Sequence, residues 1–93
     1  MMSRENAQAL ALEALSWVLG NEDLCQHFMA EAGLQPADLR QGADDPAFLE
    51  GVLDFVMQQD LRVRDFSSAS GHPPMAVAEA RARLAGPGAM HWT

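Results

Sequence analysis

FMAEAGLQP, residues 28–36, and FSSASGHPP, residues 66–74, are the two stretches that decide how this chain folds. Each carries a phenylalanine, then a glycine five residues on, then a proline eight residues on. The three residue types have separate jobs. Phenylalanine anchors a helix in an apolar interior. Glycine takes the left-handed conformation that closes a helix. Proline opens the next one, where its missing N–H forfeits no helical bond. Each stretch therefore predicts a helix, a stop and a new start.

Outward from these stretches, the same 38-residue offset overlays Ala9, Leu15 and Val18 on Ala47, Leu53 and Val56. It also brings Leu10, Trp17, Leu19 and Leu39 onto Phe48, Phe55, Met57 and Val77. The implied unit is a long buried helix, a second helix closed by glycine, and a third opened by proline. Two copies are too few for a solenoid, so they are expected to pack around a pseudo-twofold axis with the first and fourth helices central.

The element boundaries follow. Ala7, Leu10, Ala11, Ala14, Leu15 and Val18 recur at three and four residues, predicting a helix over about Arg4–Leu19. Leu12, Trp17 and Leu19 widen its apolar surface, as expected of a helix packed on more than one side. Gly20 ends it and Asn21 caps a second helix, about Glu22–Ala32. A short third helix runs over about Pro36–Gln41 and stops at Gly42. Asp45 caps a fourth, about Pro46–Gln59, with Phe55 widening its apolar face. Asp60 is expected to cap a fifth that closes at Gly71, and a sixth spans about Pro74–Ala85, with Val77, Ala78, Arg81 and Leu84 spaced along it.

This is an all-α fold: an irregular bundle of about six helices in two similar three-helix halves. Residues 1–93 form one domain, with a first unit over 4–42, a second over 46–85 and a loose tail over 86–93, unless Trp92 docks on the core. The expected core is Leu10, Leu15, Val18, Phe28, Leu39, Phe48, Leu49, Val52, Leu53, Val56, Phe66, Val77 and Leu84. Composition agrees. The chain has no Ile, Tyr or Lys and is rich in Ala, Leu, Glu, Gln, Met and Arg, all good helix formers. A sheet would lack its usual β-branched and aromatic residues.

The formal net charge is −7, unevenly spread. Residues 1–54 hold Arg4 and Arg40 against ten acids, whereas residues 55–93 hold four arginines against three acids. An acidic surface repels nucleic acid and anionic membranes and keeps a small domain soluble. Cys25 is the only cysteine, so nothing indicates an oxidising compartment and a cytoplasmic location is expected. No run approaches the roughly 20 apolar residues of a membrane span.

Leu24–Met29, Gly33–Arg40, Asp45–Leu49 and Val52–Phe55 resemble a family of short bacterial proteins catalogued as domain of unknown function 3572. Gly71, Pro74, Val77, Ala80, Arg81 and Leu84 also fit its pattern, so the resemblance covers about residues 7–85. His72-Pro73 departs from the aliphatic-plus-acidic lead-in expected before the last helix. The resemblance implies an all-helical bacterial protein and carries no activity and no catalytic residues with it.

The residues themselves offer little chemistry. Cys25 and His27, two apart, point to different helix faces, and Cys25 reads as a small buried hydrophobe. His27 and Glu31 make an i,i+4 surface pair; two ligands do not make a metal site. Asp44-Asp45 and Glu22-Asp23 precede helices and serve as caps and dipole partners. Met29 and Met57 read as core packing, and His72 and His91 as solvated. There is no Gly-rich phosphate loop, paired-cysteine zinc pattern or nucleophile elbow. No cofactor, metal site or catalytic residue is assigned, and an enzyme ranks last.

The first-ranked function is a non-catalytic protein–protein interaction module whose partner is an unknown protein or a second copy of the chain. Trp17, Phe48 and Phe55 are more apolar surface than a chain this small is expected to bury alone. Glu13, Glu50 and Asp54 would rim the contact. The alternative is a helical nucleic-acid-binding module using Arg62, Arg64, Arg81 and Arg83. The overall acidity and the diverging i,i+2 spacing of those arginines weigh against it.

Overall fold

The first four helices each begin where a side chain serves an unpaired amide. The computed structural model describes residues 2–85, in which six helices follow one another. Helix α1 (Arg4–Leu19) is capped by Ser3, whose Oγ accepts the Asn6 N–H at 3.0 Å. For α2 (Glu22–Ala32), Asn21 Oδ1 accepts the Leu24 N–H at 3.2 Å. At α3 (Pro36–Gly42) the Gln35 N–H donates to the Asp38 carboxylate at 2.8 Å. At α4 (Pro46–Met57) Asp45 Oδ1 accepts the Ala47 N–H at 3.0 Å. These are the cap positions at which such side chains stabilise a helix by about 1 kcal/mol.

The starts of α5 (Asp60–Ser70) and α6 (Met75–Ala85) depart from expectation. Gln59, not Asp60, occupies the cap of α5, and it makes no side-chain cap bond. Asp60 lies inside the first turn, where its charge still complements the helix dipole. Helix α6 begins one residue late. The Pro73 and Pro74 carbonyls accept the Ala76 and Val77 N–H groups at 2.9 and 3.3 Å, so the proline pair forms a tight lead-in turn. Helix α4 also ends at Met57, two residues before the predicted Gln59.

Gly33 (φ 66°) and Gly71 (φ 83°) close α2 and α5 in the left-handed region, the only positive φ values among the described residues. The Gly33 and Leu34 N–H groups both donate to the Met29 carbonyl. Gly71 donates to Ser67 O at 2.9 Å. Gly42 does different work: it is the last residue of α3, and a Cβ there would lie 2.5 Å from the Phe48 ring. The position is glycine because Phe48 packs directly on the backbone.

Helices α1 and α4 lie together at the centre, and α6 packs against both. Helix α2 covers α1, α5 covers α4 and touches α1, and α3 rests on α4. Helix α6 runs antiparallel to α1: the Met2 N–H donates to Glu79 Oε2 at 3.2 Å near one end, and Glu13 meets His72 near the other. The core holds Leu10, Val18, Leu49, Leu53, Phe66 and Val77. Ala7, Ala11, Ala14, Ala76 and Ala80 are also buried and let the helices approach closely.

Several predicted placements change. Leu39 and Phe48, expected in the core, are half-buried. Helix α3 is too short and too peripheral to enclose them. Phe55, expected at a surface contact, is buried. On α6 the inward face uses Ala76, Val77, Ala80 and Leu84, leaving Ala78 exposed. Helix α1 does pack on several sides, but Leu12 and Leu19 stay exposed at 40% and 39%. The predicted tail over 86–93, with His91 and Trp92, lies outside the described residues.

The aromatic contacts cross between the halves. Phe28 on α2 meets Phe55 on α4 (centroids 5.2 Å apart), and Phe66 on α5 meets Trp17 on α1 (5.6 Å). Under the 38-residue offset, Trp17 corresponds to Phe55 and Phe28 to Phe66. The third helices do not correspond in the same way, since α6 is wedged between α1 and α4 whereas α3 stays at the edge.

Candidate functional site

The side chains of α1 that do not enter the core create the site. Ala7, Leu10, Ala11, Ala14, Leu15 and Val18 face inward. Ala9, Leu12, Ser16 and Leu19 follow each other at three, four and three residues and are exposed. This is the spacing of a helix–helix contact stripe. Helix α5 stands beside that stripe without covering it. Between them lies an open cleft of about 570 Å³, lined by Ala9, Leu12, Ser16, Trp17, Phe66 and Ala69, with Glu13 and Ser70 at its edges. Trp17, half-buried against Phe66, forms part of its floor.

Glu13 also borders a second cleft of about 480 Å³, which continues along α1 toward Met2 and is walled by Pro73, Ala76 and Glu79. The Glu13 carboxylate stands at the junction. His72 Nε2 lies 2.9 Å from Glu13 Oε2, with the two side chains 35% and 51% exposed. The His72 ring stacks on Phe66 (28° between planes), and its backbone is held by Ser67 and Ser70, whose hydroxyls meet the His72 carbonyl and N–H. His72 is thus half-buried and partnered, in contrast to the solvated position expected for it.

The other two predicted rim acids lie elsewhere. Arg81 on α6 reaches across to α4, with Nη1 2.8 Å from Glu50 Oε1 and Nε 2.8 Å from Asp54 Oδ1. The hydrogen bond to Asp54 holds the Arg81 pKa above the ordinary guanidinium value; partial burial opposes this less strongly, and the Asp54 and Glu50 charges add to the rise. Glu50 and Asp54 are therefore engaged within the chain and are not brought together with Glu13.

The four arginines of the nucleic-acid reading do not form one basic face. Arg62 is 6% exposed. Its guanidinium lies 3.9 Å from the Phe55 ring centroid and donates to the Phe55 carbonyl at 2.9 Å and to Gln58 Oε1 at 3.3 Å. Arg81 is occupied by Glu50 and Asp54. Arg64 is exposed and Arg83 is half-buried on a different helix.

Among the described residues no group of three His, Cys, Asp or Glu could hold a metal ion, and no helix is long and apolar enough to cross a membrane. Cys25 is half-buried, with Sγ 4.0 Å from Met29 Sδ, so it is less enclosed than the buried thiol expected. His27 and Glu31 are both exposed. The candidate feature that sequence reading missed is the α1/α5 cleft. Its signal was present in the exposed spacing of Ala9, Leu12, Ser16 and Leu19, which widens α1 beyond the stripe its core needs.

The pattern of the family described as "Protein of unknown function (DUF3572)" matches residues 4–87. No curated protein and no solved structure matches the chain significantly.

Proposed function

The chain belongs to the DUF3572 family, and from that premise we propose that it is a non-catalytic interaction module that receives an amphipathic helix of another protein in the α1/α5 cleft. The observation that carries this reading is the exposed run of Ala9, Leu12 and Ser16 lining the cleft beside the Trp17–Phe66 pair. A helix is the fitting occupant. The described residues contain no strand edge that a partner could extend, and a trough between two helices accepts the ridges of a third. A partner of another sequence is favoured over a second copy, because two copies would bring together net charges of −7 each. The lone Cys25 supports a reducing, cytoplasmic setting. The reciprocal pairs Phe28–Phe55 and Trp17–Phe66 support reading the halves as two copies of one unit about a pseudo-twofold.

The test is a photo-crosslinking amino acid placed at position 12, in the cleft, and separately at position 64, away from it, in the host cell. The reading expects a covalent adduct from position 12 to a helical segment of a different protein, competed away by unlabelled wild type and not by the Leu12→Asp variant. Equal adducts from both positions, none from position 12, or a dimer of the chain itself would overturn it.

A further inference from the structure

Glu13 is the one acid lining the α1/α5 cleft, and among the described residues no arginine pairs with it. Among the described residues its ion-pair partner is His72. The arginine that could be compared, Arg81, is committed to Glu50 and Asp54, and Arg62 is buried over Phe55. Glu13 borders both clefts, so an occupant lying along α1 must pass its carboxylate. An exposed carboxylate at the edge of an apolar surface is complemented by a cation with several donors. A guanidinium or ammonium supplies a permanent charge that an imidazole does not.

From this placement we propose that Glu13 is the specificity residue of the cleft, selecting a partner helix with an arginine or lysine in the middle of its apolar face, which takes the Glu13 carboxylate in place of His72. This rests on the reading of the α1/α5 cleft as a helix-binding site and adds the chemistry of the partner. The chain's net charge of −7 favours the same sign of charge, so the inference needs a test that separates Glu13 from general acidity.

A display library of stabilised amphipathic helices, with the positions along the apolar face randomised, provides that test. It is selected on the full chain and counter-selected on the Leu12→Asp variant, so that only cleft-dependent binders remain. The same selection is run on Glu13→Gln, a change at an exposed position that should leave the fold intact, as circular dichroism checks. The expected result is enrichment of Arg or Lys at one position among wild-type binders and its loss on Glu13→Gln. Replacing that residue by Gln in a purified peptide should weaken binding to wild type about threefold to fivefold, as an exposed ion pair does, and binding to Glu13→Gln by less than about twofold. Cleft-dependent binders with no basic enrichment, or with the same enrichment on Glu13→Gln, would overturn the Glu13 inference while leaving the helix-binding reading in place. No cleft-dependent binders at all would overturn both.

Discussion

The trough between α1 and α5 and the one between α2 and α4, whose aromatic residues match in sequence under the 38-residue offset, are each built on an aromatic contact and end in opposite states. In the first, Phe66 meets Trp17; in the second, Phe28 meets Phe55. The first is an open cleft of about 570 Å³. The second shrinks to about 180 Å³ around Phe28, Glu31, Gly51 and Gln58. Two arginines lie on the α2/α4 side and none on the other. Arg62 covers the Phe55 ring and ties itself to the end of α4. Arg81 lies across Glu50 and Asp54, which correspond under the 38-residue offset to Leu12 and Ser16 of the open trough. The α2/α4 side has cations of the chain laid over its aromatic ring and its acids. The α1/α5 side presents leucine, tryptophan and one acid, and is open.

The strongest way to break this comparison is to remove the shared contact. Phe28→Ala and Phe66→Ala should each lower unfolding free energy by about 3–5 kcal/mol, since both are buried large-to-small changes. Urea titration checks this, and a loss below about 1 kcal/mol at either position would show that the two contacts are not equivalent. Next, Arg62→Ala should cost about 2–3 kcal/mol, because it leaves the Phe55 carbonyl without its charged donor and uncovers the ring. The same variant should raise the fluorescence of an apolar dye, as the closed trough comes to resemble the open one.

Smaller effects sharpen the picture. Gly42→Ala should destabilise by about 1–3 kcal/mol, because the new methyl meets the Phe48 ring and the ring must move. For a chain of this size that is a drop of several degrees in Tm, read by calorimetry. Arg81→Gln should cost less than about 1 kcal/mol and less still in high salt, since its pairs are only partly shielded from water. Its guanidinium pKa is raised in the folded state. The contribution is therefore complete below the ordinary guanidinium value and is lost only as pH climbs through the raised one, so Arg81's protonation should add no pH dependence between about pH 6 and pH 9. Finally, Leu12→Asp should change stability by no more than about 0.5 kcal/mol while abolishing the position-12 adduct.

The helices were legible in the sequence because glycine, proline and cap residues act locally. Gly33, Gly71, Asn21 and Asp45 each do at their own position what their chemistry predicts. The cleft was only half legible. The two faces of α1 could be read from spacing, but which face α5 would leave bare depends on packing between distant segments. Arg62 was misread for the same kind of reason. Its acceptor is the Phe55 carbonyl in the last turn of α4, which is open to a side-chain donor because that helix stops at Met57. Glu50 and Asp54 have the spacing of rim acids, and their partner Arg81 stands 27 residues beyond Asp54, out of reach of helical periodicity. Leu39 was placed too deep because periodicity says which way a residue faces and not how much protein lies beyond it.

Helix α6, wedged between α1 and α4, has a consequence for how the molecule is made. Its contacts reach back to the start of the chain, as with Glu79 and Met2, 77 residues apart. The apolar flank of α1 leaves the ribosome long before the helix that seals it. At roughly 5–20 residues per second, that flank waits on the order of seconds for Val77 and Leu84 to be synthesised. A nascent chain stalled before α6 should therefore be a chaperone client, and release from the chaperone should coincide with translation of the last helix.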